Sequence, residues 1–333
     1  MRENKKSAGK VLRYPAVRVA LTHRCQLQCN YCPPFGENFG DISGRKFNLN
    51  DYLELVDIFY RLGVRQVGFT GGDPFLWRNA GALLEQLPGY QGLRTRIYSN
   101  GILLNRYASR LKHVEVIKVG LDAMDAEMFR RITGKDRLKD VLDGVRFARS
   151  EGIKIRFNTV LTSLNVAHVK SILDFCVNNG YELKILDLNC FEEPGYNFWK
   201  KFYCSSDLVE ALFSGAKVEI VETEGGYGIP MKQYKYKGIA VRIKDTRQPA
   251  MYAPVCRDCA YFPCQEGIYH MSVTVDGSLK ACRHRHDLAV ALPPKDHLIW
   301  PELIERFLAD FFFSAKRLNV VKQVFQGFFK HEN

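Results

Sequence analysis

The stretch VRVALTHRCQLQCNYC, residues 17–32, decides how the rest of the chain is read. Its first half, Val17 to Thr22, is an apolar, β-branched run of strand character. Its second half places three thiols, Cys25, Cys29 and Cys32, on the loop leaving that strand, in the spacing C-x3-C-x2-C. Downstream, NLNDYLELVDIFYRLG (48–63) opens on an Asn cap and has helical spacing at Leu53, Val56 and Phe59, and VRQVGFT (64–70) is the next strand. The alternation then repeats, with helices over 79–87, 103–111, 138–151 and 165–179 and strands over 94–99, 115–121, 153–161 and 182–188. Six strands with intervening helices predict an α/β fold, a partial (β/α)6 TIM-like barrel whose strands are parallel and whose crossovers are right-handed.

In such folds reactive groups gather beyond the C-terminal ends of the strands. Those junctions read Thr22-His23-Arg24-Cys25, Gly71-Gly72-Asp73-Pro74, Ser99-Asn100-Gly101 and Leu121-Asp122; strand five carries Arg156 and Asn158, and strand six closes on Asp187 and Asn189. After residue 190 the alternation stops. A stretch rich in Gly, Lys and Tyr, 224–247, predicts hairpins, and four further cysteines follow it. From Trp300 to Phe329 an apolar helical pattern returns at Leu303, Phe307, Phe311, Leu318, Val321 and Phe325, read as a docking helix. The expected division is a flexible basic arm (1–15), a partial barrel (16–190), a hairpin and second cysteine region (191–299) and a C-terminal helical segment (300–333).

A content of 46% hydrophobic and 25% charged residues excludes a disordered or fibrous chain. The first fifteen residues lack the apolar core of a signal peptide, and no run approaches the roughly 18 apolar residues of a membrane span, so a soluble cytoplasmic protein is expected. Seven of the ten cysteines fall in two tight groups, the distribution of metal ligands in a reducing compartment. Cys176, Cys190 and Cys204 stand apart and read as small hydrophobes. The net charge of +12 favours an anionic substrate or partner through the field focused in a cleft; a merely basic solvated surface explains it equally well.

Three thiolates on a four-iron cluster leave one iron without a protein ligand, open to the amino and carboxylate groups of a small molecule. A zinc site completed by His23 is the alternative. Tyr31, beside the last cysteine, offers an aromatic face to a planar ring. Gly71-Gly72-Asp73-Pro74 combines bare backbone for close approach with an acid able to accept from an ammonium group; a plain strand-to-helix turn has the same composition. The second group, Cys256-x2-Cys259-x4-Cys264-x17-Cys282, has zinc-ribbon spacing when read alone.

With these motifs in order, the first 190 residues resemble the radical S-adenosylmethionine (SAM) superfamily. Within it, RVALTHRCQLQCNYC, LGVRQVGFTGGDPFL, YSNGILL, GLDAMDAEMFRRITGKDRLKDVLDGV and KIRFNTVL resemble the GTP 3',8-cyclase family of molybdenum-cofactor biosynthesis, the MoaA type. The resemblance implies a [4Fe-4S] cluster on Cys25, Cys29 and Cys32, and reductive cleavage of SAM to a 5'-deoxyadenosyl radical. By likeness Tyr31, Gly71, Gly72, Asp73, Pro74, Ser99, Asn100 and Asn158 contact SAM, Asp73 through the methionine ammonium. Arg18 and Arg156 fall where that family holds a substrate triphosphate, although arginines in local ion pairs would occupy the same positions. VTVDGSLKAC resembles the segment of a SPASM/twitch-like auxiliary cluster, with Cys256, Cys259 and Cys282 matching its three ligands.

Three departures separate the chain from the family. Gly120 replaces the usual serine, Cys264 adds a fourth thiol able to close the second cluster, and the C-terminal Lys330-His331-Glu332-Asn333 lacks paired glycines. The leading expectation is a MoaA-like enzyme acting on another anionic small molecule, a nucleotide, nucleoside or sugar derivative. GTP 3',8-cyclase activity and a peptide-modifying role are the alternatives within radical chemistry; an RNA-binding protein and a zinc scaffold are those outside it. The reading further implies flavodoxin or ferredoxin as electron donor and, by family likeness, a homodimer. No RNA-binding module is recognised.

Overall fold

The computed structural model describes residues 14–32, 47–190, 198–293 and 296–326. Most of the basic arm and the C-terminal tetrapeptide lie outside the described residues.

Six strands, β1 (Val17–Ala20), β2 (Gln66–Thr70), β3 (Arg94–Ser99), β4 (Val116–Gly120), β5 (Ile155–Leu161) and β6 (Glu182–Asp187), pair in sequence order and all in parallel. The connections carry α1 (Leu49–Leu62), α2 (Ala80–Gln86), α3 (Leu104–Tyr107), α4 (Ala126–Thr133), α5 (Leu138–Ser150) and α6 (Val169–Asn179). α1 starts where the sequence says it should. The Asn48 side chain accepts from the Asn50 and Asp51 amides while Asp51 accepts from the Asn48 amide, a reciprocal cap that satisfies otherwise orphaned donors. Gly63, at φ 101°, ends the helix in a left-handed conformation that costs glycine little. Tyr52, Leu55, Val56 and Phe59 then face the sheet and are buried. α4, which the periodicity reading passed over, is capped by Asp125 and closed by Gly134.

The later part of the chain extends the same sheet. After the short helices α7 (Phe198–Phe202) and α8 (Asp207–Glu210), the strands β7 (Lys217–Val221), β8 (Met231–Tyr236) and β9 (Ile239–Lys244) form the expected hairpin region, and β9 joins β6 in parallel. After β10 (Ala250–Tyr252), β11 (Met271–Val273) joins β1 in parallel and continues into β12 (Ser278–Lys280) and β13 (Val290–Ala291). One twelve-stranded sheet results, in the order β13-β12-β11-β1-β2-β3-β4-β5-β6-β9-β8-β7. Its two flanks approach each other, since the Gly228 amide donates to the Ile268 carbonyl at 3.3 Å.

The C-terminal segment departs from the single docking helix expected of it. α9 (Trp300–Leu308) docks as foreseen, with Trp300 fully buried and stacked on Phe47 at 5.1 Å. It then widens into a π-turn over Ala309–Phe313, which buries the consecutive Phe311 and Phe312. The chain continues as a strand, β14 (Lys316–Leu318), antiparallel to β10, so Leu318 lies in a sheet and Val321 is left exposed. Tyr14, assigned to the arm, is anchored edge-on against Phe313 at 5.5 Å. Among the described residues no helix is long and apolar enough to cross a membrane.

Candidate active site

The thiol loop after β1 is held in place chiefly by backbone. The Leu21 amide donates to Thr70 at 2.9 Å, the Gly72 amide to Thr22 at 2.8 Å and the Asp73 amide to Arg24 at 2.8 Å, stitching the loop to the Gly71-Gly72-Asp73-Pro74 turn. The glycines are required by this contact: a Cβ on Gly72 would lie 2.2 Å from the Arg24 carbonyl oxygen, and one on Gly71 2.2 Å from that of Thr22. On its other side the loop rests on the end of α4, with the Gln28 amide donating to Thr133 and the Asn30 amide to Ile132. Cys25 and Cys32 are exposed and Cys29 is half-buried. The Cys25 sulfur accepts from the Leu27 amide at 3.4 Å and faces the Asn100 amide group at 3.6 Å.

Asp73 takes a different role from the ammonium contact expected of it. It is fully buried, and its carboxylate accepts from the Ser99 hydroxyl (2.8 Å), the Asn100 amide (3.0 Å) and the Phe75 amide (3.0 Å). Its short side chain reaches inward, so it fixes the Ser99-Asn100 turn and has no surface to offer a ligand. Ser99 is likewise buried, and Pro74 with it; Asn100 reaches the thiol loop with its side chain, donating to Gln26 at 2.7 Å. Tyr31 donates its hydroxyl to Asp122 at 2.6 Å, and Asp122 also accepts from the Val160 amide at 2.7 Å. Burial pushes the Asp122 carboxyl up to about 6 despite both bonds. Gly120 opens onto space, where a serine would have stood.

A cavity of about 620 Å³ runs along the barrel interior, with Tyr31, Cys32 and Asn158 at one end. Both proposed basic residues line it, Arg18 and Arg156, and so do six others missed in the sequence: Arg96, Lys118, Lys184, Arg242, Lys244 and Arg283. Among the described residues only four carboxylates share the lining, Glu115, Asp187, Glu222 and Glu266, so the field inside is positive. Several cations are compensated. Arg96 donates to Glu115 at 2.6 Å, Arg156 and Arg242 share Glu182 at 2.8 and 3.1 Å, and Lys244 and Arg283 share Glu266. Arg156 therefore satisfies both of its readings at once, an ion pair and a cavity wall.

Lys184 has no hydrogen-bond or ion-pair partner among the described residues. Burial, then Lys118, Lys244, Arg18 and Arg156, hold its amine well below the usual lysine range. Opposite it in register stand Asn158 and Arg242. The signal that would have found these residues is the alternation along strands: Arg96/Tyr98, Arg156/Asn158, Glu182/Lys184 and Arg242/Lys244 occupy every second position, and the apolar residues between them are buried on the other face.

The second cysteine group also converges. Cys256, Cys259, Cys264 and Cys282 line one small cleft with Tyr252, Tyr261, Phe262, His284 and Phe311, so the structure brings Cys264 in with the other three. Tyr252 donates to the Cys264 carbonyl at 2.7 Å, and Gln265 bonds to Leu188, Cys190 and Thr246, tying this loop to the end of β6. Burial pushes the Cys264 thiol up to about 12 and that of Cys256 to about 11. Arg283, next to Cys282, is a cavity residue. Cys176 is buried in the main core and Cys190 and Cys204 in apolar surroundings, as small hydrophobes.

Residues 19–176 match the Radical SAM superfamily. The fold agrees: the structure of Streptococcus suis SuiB bound to S-adenosylmethionine superposes with a TM-score of 0.62 at 18% identity, over 86% of this chain and 66% of that one. Residues 19–176 thus form a radical SAM domain, and that family implies a [4Fe-4S] cluster and SAM. Within the superfamily the chain resembles the MoaA type. It is 29% identical over 283 residues to the probable GTP 3',8-cyclase of Archaeoglobus fulgidus (81% of this chain, 86% of that one) and 26% identical over 275 residues to that of Sulfurisphaera tokodaii (81% and 82%).

The residues fit these groups. In Cys29, burial first, then Asp122 and the neighbouring Cys32 and Cys25, push the thiol well above its ordinary value, so three thiolates there need the positive charge that iron supplies. Among the described residues no three His, Cys, Asp or Glu side chains converge on one ion. A four-iron cluster asks for no such convergence, because each thiolate takes a different iron. Asn158 adds a buried side-chain oxygen at the cavity wall with no partner among the described residues, an acceptor for a ligand donor.

Proposed function

We propose that this chain is a radical SAM enzyme acting on a small anionic substrate, a nucleotide, nucleoside or sugar derivative, held in the barrel cavity with its anionic group toward Arg18, Lys118 and Lys184. The observation that carries the reading is the excess of cationic over acidic side chains on the cavity wall, with Lys184 unpartnered. An anion placed there would favour the charged form of the Lys184 amine, which burial and the neighbouring cations otherwise hold well below the usual lysine range. Cys25, Cys29 and Cys32 would hold the cluster, and Gly71, Gly72 and Asn100 would form the wall against which SAM lies. When bound, the pair supplies a primary carbon radical able to abstract hydrogen from an unactivated C–H bond. The chain's own contribution is to hold the substrate at a fixed distance from the loop, to exclude water and to neutralise the substrate's charge.

The four thiols around Cys264 support a second cluster, closed by its fourth ligand and remote from direct substrate coordination. A low-potential donor such as flavodoxin or ferredoxin would supply the electron. GTP 3',8-cyclase activity is the second reading, favoured by the activity for which its relatives are named; the presence of Cys264 beside the three matching thiols speaks against it. Anaerobically reconstituted protein given dithionite, SAM and individual anionic metabolites tests both. 5'-deoxyadenosine with a cyclised GTP product supports the second reading. Its formation stimulated by another anionic metabolite supports the first; with uncharged nucleosides and sugars added in parallel, stimulation by these alone refutes both.

A further inference from the structure

Tyr98, on β3, lines the cavity, and room for its ring is made by a missing side chain. A Cβ on the neighbouring Gly68 would lie 2.7 Å from Tyr98 Cε2. Its hydroxyl oxygen accepts from Lys118 Nζ at 2.9 Å, and the Arg18 guanidinium carbon sits 4.4 Å from the ring centroid. Lys118 is 9% exposed and has no carboxylate partner among the described residues; the Tyr98 oxygen is its acceptor. The other charged groups nearby leave it so. On the same strand Arg96 is bonded to Glu115, and across the cavity Lys244 and Arg283 share Glu266; burial lowers the amine of Lys118 itself and holds that of Lys184 well below the usual lysine range.

We propose that Tyr98 sets the affinity and pH dependence of the anion site: its phenolate is the site's internal counter-anion, and it takes up a proton from solvent when a phosphate-class anion reaches Arg18 and Lys118. This rests on the anionic-substrate reading and adds the proton to it. Burial alone would raise the phenol, but Arg18 and Lys118 outweigh it and bring it down to about 7. An incoming anion shares those two cations and repels the phenolate, so the phenolic proton is bound more tightly in the complex. The linkage has a definite sign. Affinity is greatest below the pKa of the free site and falls as pH rises above it, by up to about tenfold per pH unit for one linked proton.

The test is calorimetric titration of the anaerobic, cluster-loaded protein with inorganic tripolyphosphate at several pH values from about 6 to about 9, in buffers of differing ionisation heat. Comparison with Tyr98→Phe cancels the ligand's own protons. The expected result is that near pH 8 the wild type takes up as much as about one proton more than Tyr98→Phe, with tyrosinate absorbance lost on binding. Lys118→Gln, which removes the positive charge beside the phenol, should move the linkage to higher pH. Binding with the same proton uptake and pH slope in wild type and Tyr98→Phe would overturn the role of Tyr98 and leave the anion site standing. Failure of tripolyphosphate to bind at any of these pH values would overturn the anion site, and this proposal with it.

Discussion

Replacing Gly72 by alanine should cost the protein its first cluster while sparing its fold. The new Cβ would lie 2.2 Å from the Arg24 carbonyl oxygen, 2.5 Å from its carbonyl carbon and 2.7 Å from the His23 oxygen, all backbone atoms that cannot rotate away. Ordinary carbon–oxygen contact begins near 3.3 Å, so the His23–Arg24 backbone must retreat by about 1 Å. That backbone leads directly into Cys25, and the Arg24 carbonyl accepts the Asp73 amide bond that holds the two loops together. A metal site tolerates displacement of about 0.5 Å before its geometry fails, and overpacking of this kind costs roughly 1–3 kcal/mol, short of what unfolds a domain of this size. The assay is iron and sulfide content after anaerobic reconstitution, alongside thermal melting and 5'-deoxyadenosine formation. Gly89→Ala, where a Cβ meets nothing within 4 Å, is the control and should behave as wild type. Gly72→Ala protein with wild-type iron content and undiminished SAM cleavage would refute the reasoning that backbone contact at this glycine positions the thiol loop.

Three further outcomes are expected. Cys25→Ala should abolish 5'-deoxyadenosine formation, measured by mass spectrometry of the dithionite-reduced protein; persistent formation would remove Cys25 from the cluster. Cys264→Ser should change the visible absorbance and electron paramagnetic resonance of the second thiol site while SAM cleavage continues; if its spectra match those of Cys176→Ser, at a thiol buried in the core, Cys264 is not a ligand. Asp187, 4% exposed and raised by burial to about 6 from an unfolded value of 3.8, favours its neutral form in the folded state. Its stabilising contribution is therefore complete below about pH 4 and is lost as pH rises through about 6, amounting to at most about 3 kcal/mol. Asp187→Asn keeps an acceptor for Thr246, so its urea midpoint relative to wild type should rise across that window, and a constant difference would show that Asp187 does not titrate there.

The amino-acid sequence by itself determined the features that depend on near neighbours. Strand β1 running into three thiols, the glycine pair after β2, the Asn48 cap and the six-fold alternation of strand and helix are all local patterns, fixed by backbone sterics and by side-chain period. The motif order also carried the superfamily, because its cluster ligands lie within one loop. What lay beyond reach depended on partners distant in the chain. The addition of β9 to β6 and of β11 to β1 sets registers across 55 or more residues that no local period encodes, and it is these strands that bring Lys244 and His270 into the cavity. The π-turn at Ala309–Phe313 and the strand after it arise because β10 offers an edge to pair with, which overrides a helical spacing. Asp73 reads as a ligand from its motif, yet its carboxylate turns to the donors that tertiary packing presents, Ser99 and the Asn100 amide. Tyr98 opens the YSNGILL segment, yet nothing in that segment marks its phenol; only the juxtaposition of Arg18, Gly68 and Lys118 from three different strands makes it unusual. The sequence supplied the thiols and the order of the strands, while packing across the barrel decided which charges face one another, because charge–charge energies depend on separation in space and not along the chain.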